Sequence, residues 1–305
     1  MSARIVTGHA LRRDLVTQAA KRASDAGVIP VVALIMVDNE DPMTPLDFRL
    51  HHKVFSGAGF DVRPFELPRD TTPGQLQELI GRLNQDDEVD VVQVLIPLPP
   101  QLDIRSVLAA IDPVKEAEGL HLEHVIRLNP LSDRPPTRIP VVPTAVAHVL
   151  NELDFDPSGG QVVVLTDPDI TETNPVAKMV ARVAAFAALP PDTAGTSVPV
   201  THPRAAEITS TADLLVVSVQ RPEIVTADWV KPGATVIDFI RTFLGWRVSE
   251  KDPAGRVAHL VGGVHHESVA EVAATIVPAI GGAGPVMIGA LVDQIVTAAI
   301  DRRNR

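Results

Sequence analysis

Residues Gly160 to Pro175 read GQVVVLTDPDITETNP, and the reading of this stretch settles the class of fold. A short apolar run, Val162 to Thr166, leads through a turn into a segment, about Asn174 to Ala188, that is expected to be helical. A strand that turns tightly into a helix is the nucleotide-binding unit of parallel α/β sheets, where backbone amides at the helix N-terminus meet a pyrophosphate. Such turns are rich in glycine. This one has no glycine between Gly160 and Gly195, and it carries Asp167, Asp169 and Glu172 with no basic residue before Lys178. Two like charges about 4 Å apart cost roughly 1 kcal/mol in water and roughly 4 kcal/mol at an effective dielectric of 20, so phosphate should be repelled here. Asp and Thr also serve as helix caps, and acids suit the positive end of the helix dipole. The turn predicts the fold together with a weakened dinucleotide site.

Working outward, strands are expected at Ser197 to Thr201, Leu214 to Val219 and Thr235 to Phe239, with a shorter one at His259 to Val261. Upstream, Val31 to Val37 is a continuous apolar run of the kind found in a parallel sheet covered on both faces. Helices Leu11 to Ala26, Pro45 to Ser56, Thr72 to Asn84 and Gln101 to Ala110 alternate with strands Phe60 to Phe65 and Val89 to Ile96. That alternation implies a doubly wound parallel sheet. Asp112 to Pro140 reads as an irregular functional loop, Pro143 to Leu153 as a connecting helix, Thr242 to Arg256 as a surface excursion and Val286 to Arg303 as a final helix. The fold class is α/β with two three-layer domains. An N-terminal doubly wound sheet spans residues 1–142, and a Rossmann-like domain spans 143–284. Residues 285–305 return to the first domain as a C-terminal helix.

The totals bound the partners. A chain of 305 residues with 45% hydrophobic and 21% charged residues reads as globular. A formal charge of −11 argues against nucleic acid and anionic membranes as general partners, and the sequence has no leader-like start and no uninterrupted apolar run that would span a bilayer. A cytoplasmic location is the default expectation. Without cysteine there is no disulfide, no thiol nucleophile and no thiolate metal site. His51, His52, His121, His124, His265 and His266 follow no metal-binding spacing, so no metal is expected.

Five segments carry a family resemblance: LIPLPP (95–100), DPVKEAEGLH (112–121), IPVVP (139–143), VKPGATVID (230–238) and PAIGGAGPV (278–286). In order and separation they resemble the FolD-type methylenetetrahydrofolate dehydrogenase/cyclohydrolase family over nearly the whole chain. The resemblance implies a folate cleft between two domains, a homodimer, and a tetrahydrofolate derivative as substrate. It also implies NADP as hydride acceptor, a lysine and a glutamine in proton transfer, a tyrosine beside the substrate and an aspartate on the pterin. Here the tyrosine position holds Asp47, the lysine position His51, the glutamine position Leu95 and the aspartate position Glu118. Lys53 lies two residues further on, which points it to another helix face. In the phosphate turn, Asp167 and Thr173 stand on glycine positions, Pro168 replaces an arginine and Asp169 adds charge, while Gln220 and Ile240 stand where glycines are usual. Pro97, Gly281, Gly282, Gly284 and Pro285 keep the frame of the substrate pocket.

Asp47 and His51 are four residues apart on one helix face, and a carboxylate bonded to an imidazole makes a general acid/base. Three readings stay open at this point. One is an enzyme acting on a tetrahydrofolate one-carbon unit by cyclohydrolase-type or transfer chemistry, without tight use of NADP. Another is a silent folate- or partner-binding paralogue, and the third is the full NADP-dependent dehydrogenase/cyclohydrolase.

Overall fold

The computed structural model describes residues 2–128, 137–169, 189, 192–249 and 255–304. A short strand, Arg4–Ile5 (β1), precedes the helix His9–Asp25 (α1). Val31–Val37 (β2) follows and is buried at all seven positions, because both of its faces are covered. Ala33, Ile35 and Val37 pack with Leu76, Leu79 and Ile80 on one side, while Val32, Leu34 and Met36 pack with Phe48, Phe55 and Ile295 on the other. β2 is the centre of a three-stranded parallel sheet between Asp61–Leu67 (β3) and Val91–Val94 (β4). Thr44–Gly57 (α2) has Pro45 in its first turn, a position where a missing N–H costs nothing. Pro73–Gln85 (α3) opens on a full capping box between Thr72 and Gln75. Ile104–Ala110 (α4) starts three residues later than expected because Asp103, rather than Gln101, caps it through the Ser106 amide.

The stretch 112–140 is not irregular throughout. It contains the helix Leu122–Arg127 (α5), capped by His121 and missed because its six residues are too few to show a period. Val141–Glu152 (α6) follows. The second sheet has six parallel strands in the order β1, Thr275–Val277 (β11), Thr235–Asp238 (β8), Leu214–Ser218 (β7), Gln161–Thr166 (β5) and Ala194–Pro199 (β6). Thr242–Val248 (β9) and Arg256–Val261 (β10) form a separate antiparallel ribbon, so the expected excursion has regular structure, and the short strand expected at His259 to Val261 belongs to this ribbon rather than to the parallel sheet. The segment expected as a helix at 174–188 lies outside the described residues.

Packing divides the chain into one unit of Met1–Ala10, Ala145–Glu172 and Ala188–Val286 and another of Leu11–Thr144, Thr173–Ala187 and Met287–Arg305. The first ten residues therefore go with the six-stranded sheet, where β1 pairs with β11. A two-residue strand gives no periodicity, so nothing before the structure marks it. The C-terminal helix, Gly284–Arg303, packs with the three-stranded sheet and α1. Arg22 of α1 pairs with Asp293 and bonds Thr297. Fully buried Asp90 accepts Arg302 Nε at 3.1 Å, Arg303 Nη2 at 2.8 Å and the Val31 amide at 2.9 Å. By length and hydropathy this helix could cross a bilayer, but Ala290 to Val292, Ile295 and Val296 are buried in the core.

Candidate active site

In the unit of the three-stranded sheet, α2 presents His51 one turn after Asp47. The bond between them differs from the one expected: His51 Nδ1 lies 2.7 Å from the backbone carbonyl of Asp47. A carbonyl only accepts, so Nδ1 carries the hydrogen of this bond. The ring also sits edge-on to Phe55 at 5.6 Å between centroids, and Phe55 is fully buried. Lys53 is exposed on another side of α2. Phe48 and Phe55 share one apolar cluster with Leu95 and Ala117, which brings α2, the end of β4 and the 112–121 loop around a common core. Pro97, after a cis Ile96–Pro97 bond, accepts from the Asn39 amide at 2.5 Å, tying together the loops at the carboxyl ends of β4 and β2. A concavity lined by Pro45, Phe48, Arg49, His52 and Glu66 borders His52 rather than His51.

The loop carrying Glu118 is braced from three sides. The buried Glu116 carboxylate accepts the amides of Glu118 at 2.7 Å, Leu120 at 3.0 Å and His121 at 3.2 Å. Gly119 has φ +76°, and a Cβ there would lie 2.7 Å from the Pro140 nitrogen, so only glycine lets the chains pass. The Glu118 carbonyl accepts the Val141 amide at 3.0 Å, and Gln294 holds the Ile139 carbonyl at 2.8 Å. His124 is spent on structure. Its Nε2–H donates to the Pro113 carbonyl at 2.9 Å, Nδ1 accepts from Thr137, and burial pushes its pKa down to about 4. Among the described residues no three metal-type side chains gather.

Glu118 keeps part of its surface accessible, yet desolvation of its carboxyl, with the charge of Glu116 adding to it, pushes its pKa up to about 7. A hydrogen bond from Gln93 opposes that rise. Sequence reasoning passed over Gln93. It lies opposite Leu34 in β4, so it shares a face with Val91 and Leu95, and it is 3% exposed. A buried amide in an otherwise apolar strand demands a partner, and that is the signal that could have found it.

The other unit holds the acidic turn. β6 and β7 flank β5 on opposite sides, so the sheet's order reverses at β5, and ligands of open parallel sheets bind at the carboxyl ends of strands at such a point. Asp167, with a side chain 2% exposed, stands at the end of β5 and meets Arg221, which follows β7. Arg221 Nε is 3.2 Å and Nη2 3.4 Å from its two oxygens, and Nη2 is 2.8 Å from Asp169. The Gln220 amide also donates to Asp167, at 3.3 Å. The expectation that these acids lack a nearby cation is thus corrected, because Arg221 is far in sequence and adjacent in the sheet. Pro168 follows Asp167 directly, while Thr173 lies outside the described residues. Gly281 has φ +77°, and a Cβ on Gly282 would lie 2.7 Å from the Pro278 ring, so both glycines are already required by the turn leading to Gly284 and Pro285.

A three-stranded parallel unit with a braced loop and a six-stranded unit of dinucleotide-binding strand order define a two-unit α/β class of protein. The chain belongs to the tetrahydrofolate dehydrogenase/cyclohydrolase family: residues 6–118 match its catalytic domain and residues 140–303 its NAD(P)-binding domain. It is 32% identical over 308 residues to the bifunctional protein FolD of Acidiphilium cryptum, covering 99% of this chain and 100% of that one. To the same protein of an Azoarcus species it is 34% identical, covering 98% and 97%. Among solved structures, FolD of Trypanosoma brucei with NADP and inhibitor superposes with a TM-score of 0.85 at 26% identity, covering 100% and 99%. A methylenetetrahydrofolate dehydrogenase of the silkworm Bombyx mori gives 0.81 at 26%, covering 99% and 100%.

Proposed function

We propose that this protein acts on a tetrahydrofolate one-carbon unit, hydrolysing a methenyl bridge to the formyl compound, without tight use of NADP. The observation that carries the reading is Glu118: a carboxyl held on a braced loop, hydrogen-bonded to Gln93 and suited to the paired N–H donors of a pterin ring. His51 supplies the base. Water adds to the methenyl carbon and gives one proton to His51 Nε2. The C–N5 bond then breaks as that proton passes to N5 and the remaining hydroxyl proton leaves to solvent, giving the 10-formyl product and one net proton. The Asp47 carbonyl fixes the tautomer this requires. Leu95, which shares an apolar cluster with Ala117, and Pro97 would wall the site on the side of β4.

A second reading, NADP-dependent oxidation of the methylene compound followed by the same hydrolysis, is favoured by Arg221, a cation at the crevice, and by the match to an NAD(P)-binding domain. Homodimeric assembly goes with either reading. The β9–β10 ribbon exposes Leu244, Trp246 and Val248, a stripe suited to pairing with a second copy. The test is calorimetric titration with NADP and with a tetrahydrofolate derivative, alongside loss of methenyltetrahydrofolate absorbance. Folate binding and hydrolysis without NADP binding support the first reading. Micromolar NADP binding moves the assignment to the second, and binding of neither removes both.

A further inference from the structure

We propose that Asp167 and Arg221 form a built-in ion pair that fills the phosphate position of the β5/β7 crevice and selects against dinucleotides. This deepens the NADP-independent reading above and rests on it. The strand order places the ends of β5 and β7 side by side where the sheet reverses direction, which is where a pyrophosphate would sit. Four donors converge there on an anion the protein supplies itself: Arg221 Nε and Nη2 and the backbone amides of Gln220 and Asp169. The Arg221 guanidinium closes on both Asp167 oxygens and on Asp169, and the Gln220 amide closes on Asp167 Oδ2.

Two features separate this from a surface contact or a simple helix cap. The Asp167 side chain is 2% exposed, whereas Asp169 is 75% exposed, so the inner carboxylate has left water for these partners. The guanidinium turns its Nε/Nη2 edge on Asp167 and reaches Asp169 with the same Nη2, so that edge is occupied before any ligand arrives, and these carboxylates favour its charged form. An entering phosphate would have to displace a carboxylate from its cation and then sit beside that carboxylate. Both steps weaken binding, and neither affects a folate held on the other unit's residues.

The experiment titrates full-length protein calorimetrically with NADP and with NAD, as wild type, Asp167→Asn and Asp167→Gly, with circular dichroism to check the fold. Asn keeps the shape and removes the charge, while Gly also frees the backbone. The expected result is no saturation of wild type below millimolar NADP and a gain of at least about tenfold in each variant, larger for Gly. Arg221→Ala should give no gain, since it removes the cation and keeps the acids. Micromolar NADP binding by wild type overturns the proposal whatever the variants do, and so does a folded Asp167→Asn protein without a gain. Hydrolysis of methenyltetrahydrofolate by wild type is read from the same preparation. Its absence sinks the folate reading, and the NADP titrations still decide the ion pair.

Discussion

Glu118 and Asp167 are both acids near the carboxyl ends of a parallel sheet, and their neighbours give them opposite characters. Desolvation of the Glu118 carboxyl, with the charge of Glu116 adding to it and a hydrogen bond from Gln93 opposing it, holds its proton to about pH 7. Asp167 faces the guanidinium of Arg221 and is locked as that cation's counter-ion. A carboxyl that titrates near neutrality is open to a ligand's donors, and one that is already paired is closed to them. If this contrast is right, chemistry and recognition belong to the three-stranded unit, and the six-stranded unit keeps the architecture of a cofactor domain with its anion position already taken.

The largest expected effect is on turnover. Replacing His51 by alanine should lower kcat for methenyltetrahydrofolate hydrolysis by about 10²–10⁴-fold, the usual worth of a general base, with little change in KM. Glu118→Gln should do the reverse. A charge-assisted hydrogen bond is worth about 1.5–3 kcal/mol, so KM should rise by roughly tenfold to a hundredfold while kcat is largely kept. Equal loss of kcat in both variants would mean that Glu118 takes part in the chemistry, and no loss in His51→Ala would place the base elsewhere.

Next is a pair of pH dependences with opposite signs. A carboxyl whose pKa rises on folding, here from 4.5 to about 7, contributes stability below its unfolded value and loses it as pH climbs through about 7. The loss is on the order of 2–3 kcal/mol. Asp238, also pushed to about 7 by burial, acts in the same direction, so the Glu118 part is read as the difference between wild type and Glu118→Gln in urea titrations at pH 5 and pH 8. Folate affinity should instead rise through pH 7, as the ionised carboxylate becomes the acceptor, and this rise should vanish in Glu118→Gln. Gln93→Leu removes the bond that opposes the shift, so it should move the affinity midpoint above 7 and weaken binding at pH 7 by up to about tenfold. An unmoved midpoint would make Gln93 a core residue only.

The sequence made most of the fold legible because strand-and-helix alternation and the apolar run of β2 are long signals. It missed β1, α5 and the pairing of β9 with β10, which are too short or too dependent on a distant partner to leave a period. The site divided in the same way. His51 and Glu118 are candidates that could be named from position along the chain alone, since each sits in a local motif. The Asp47 contact could not, because sequence spacing says that two residues share a helix face but not whether side chain or carbonyl accepts. Gln93 and Arg221 were overlooked for one physical reason: each matters only through a residue 25 or more positions away that sheet topology brings alongside.

The smallest effect is the most direct probe of the contrast. A double-mutant cycle on Asp167 and Arg221, using Asp167→Asn, Arg221→Ala and the pair, should give a coupling of about 1 kcal/mol in urea unfolding. Full burial of both groups would argue for more, but the Arg221 side chain is 33% exposed and screened on its outer side. Raising salt from 0.05 to about 0.5 M should reduce the coupling only in part, since the Debye length falls while Asp167 stays shielded from solvent. Arg221→Ala alone should be the worst single change, because it leaves a buried carboxylate without its cation and with the backbone amides of Gln220 and Asp169 as donors. If Asp167→Asn instead costs more than Arg221→Ala, the carboxylate is holding the 220 loop rather than answering the guanidinium. A coupling near zero would reduce the pair to two side chains that happen to lie close, and with it the contrast between an open acid and a closed one.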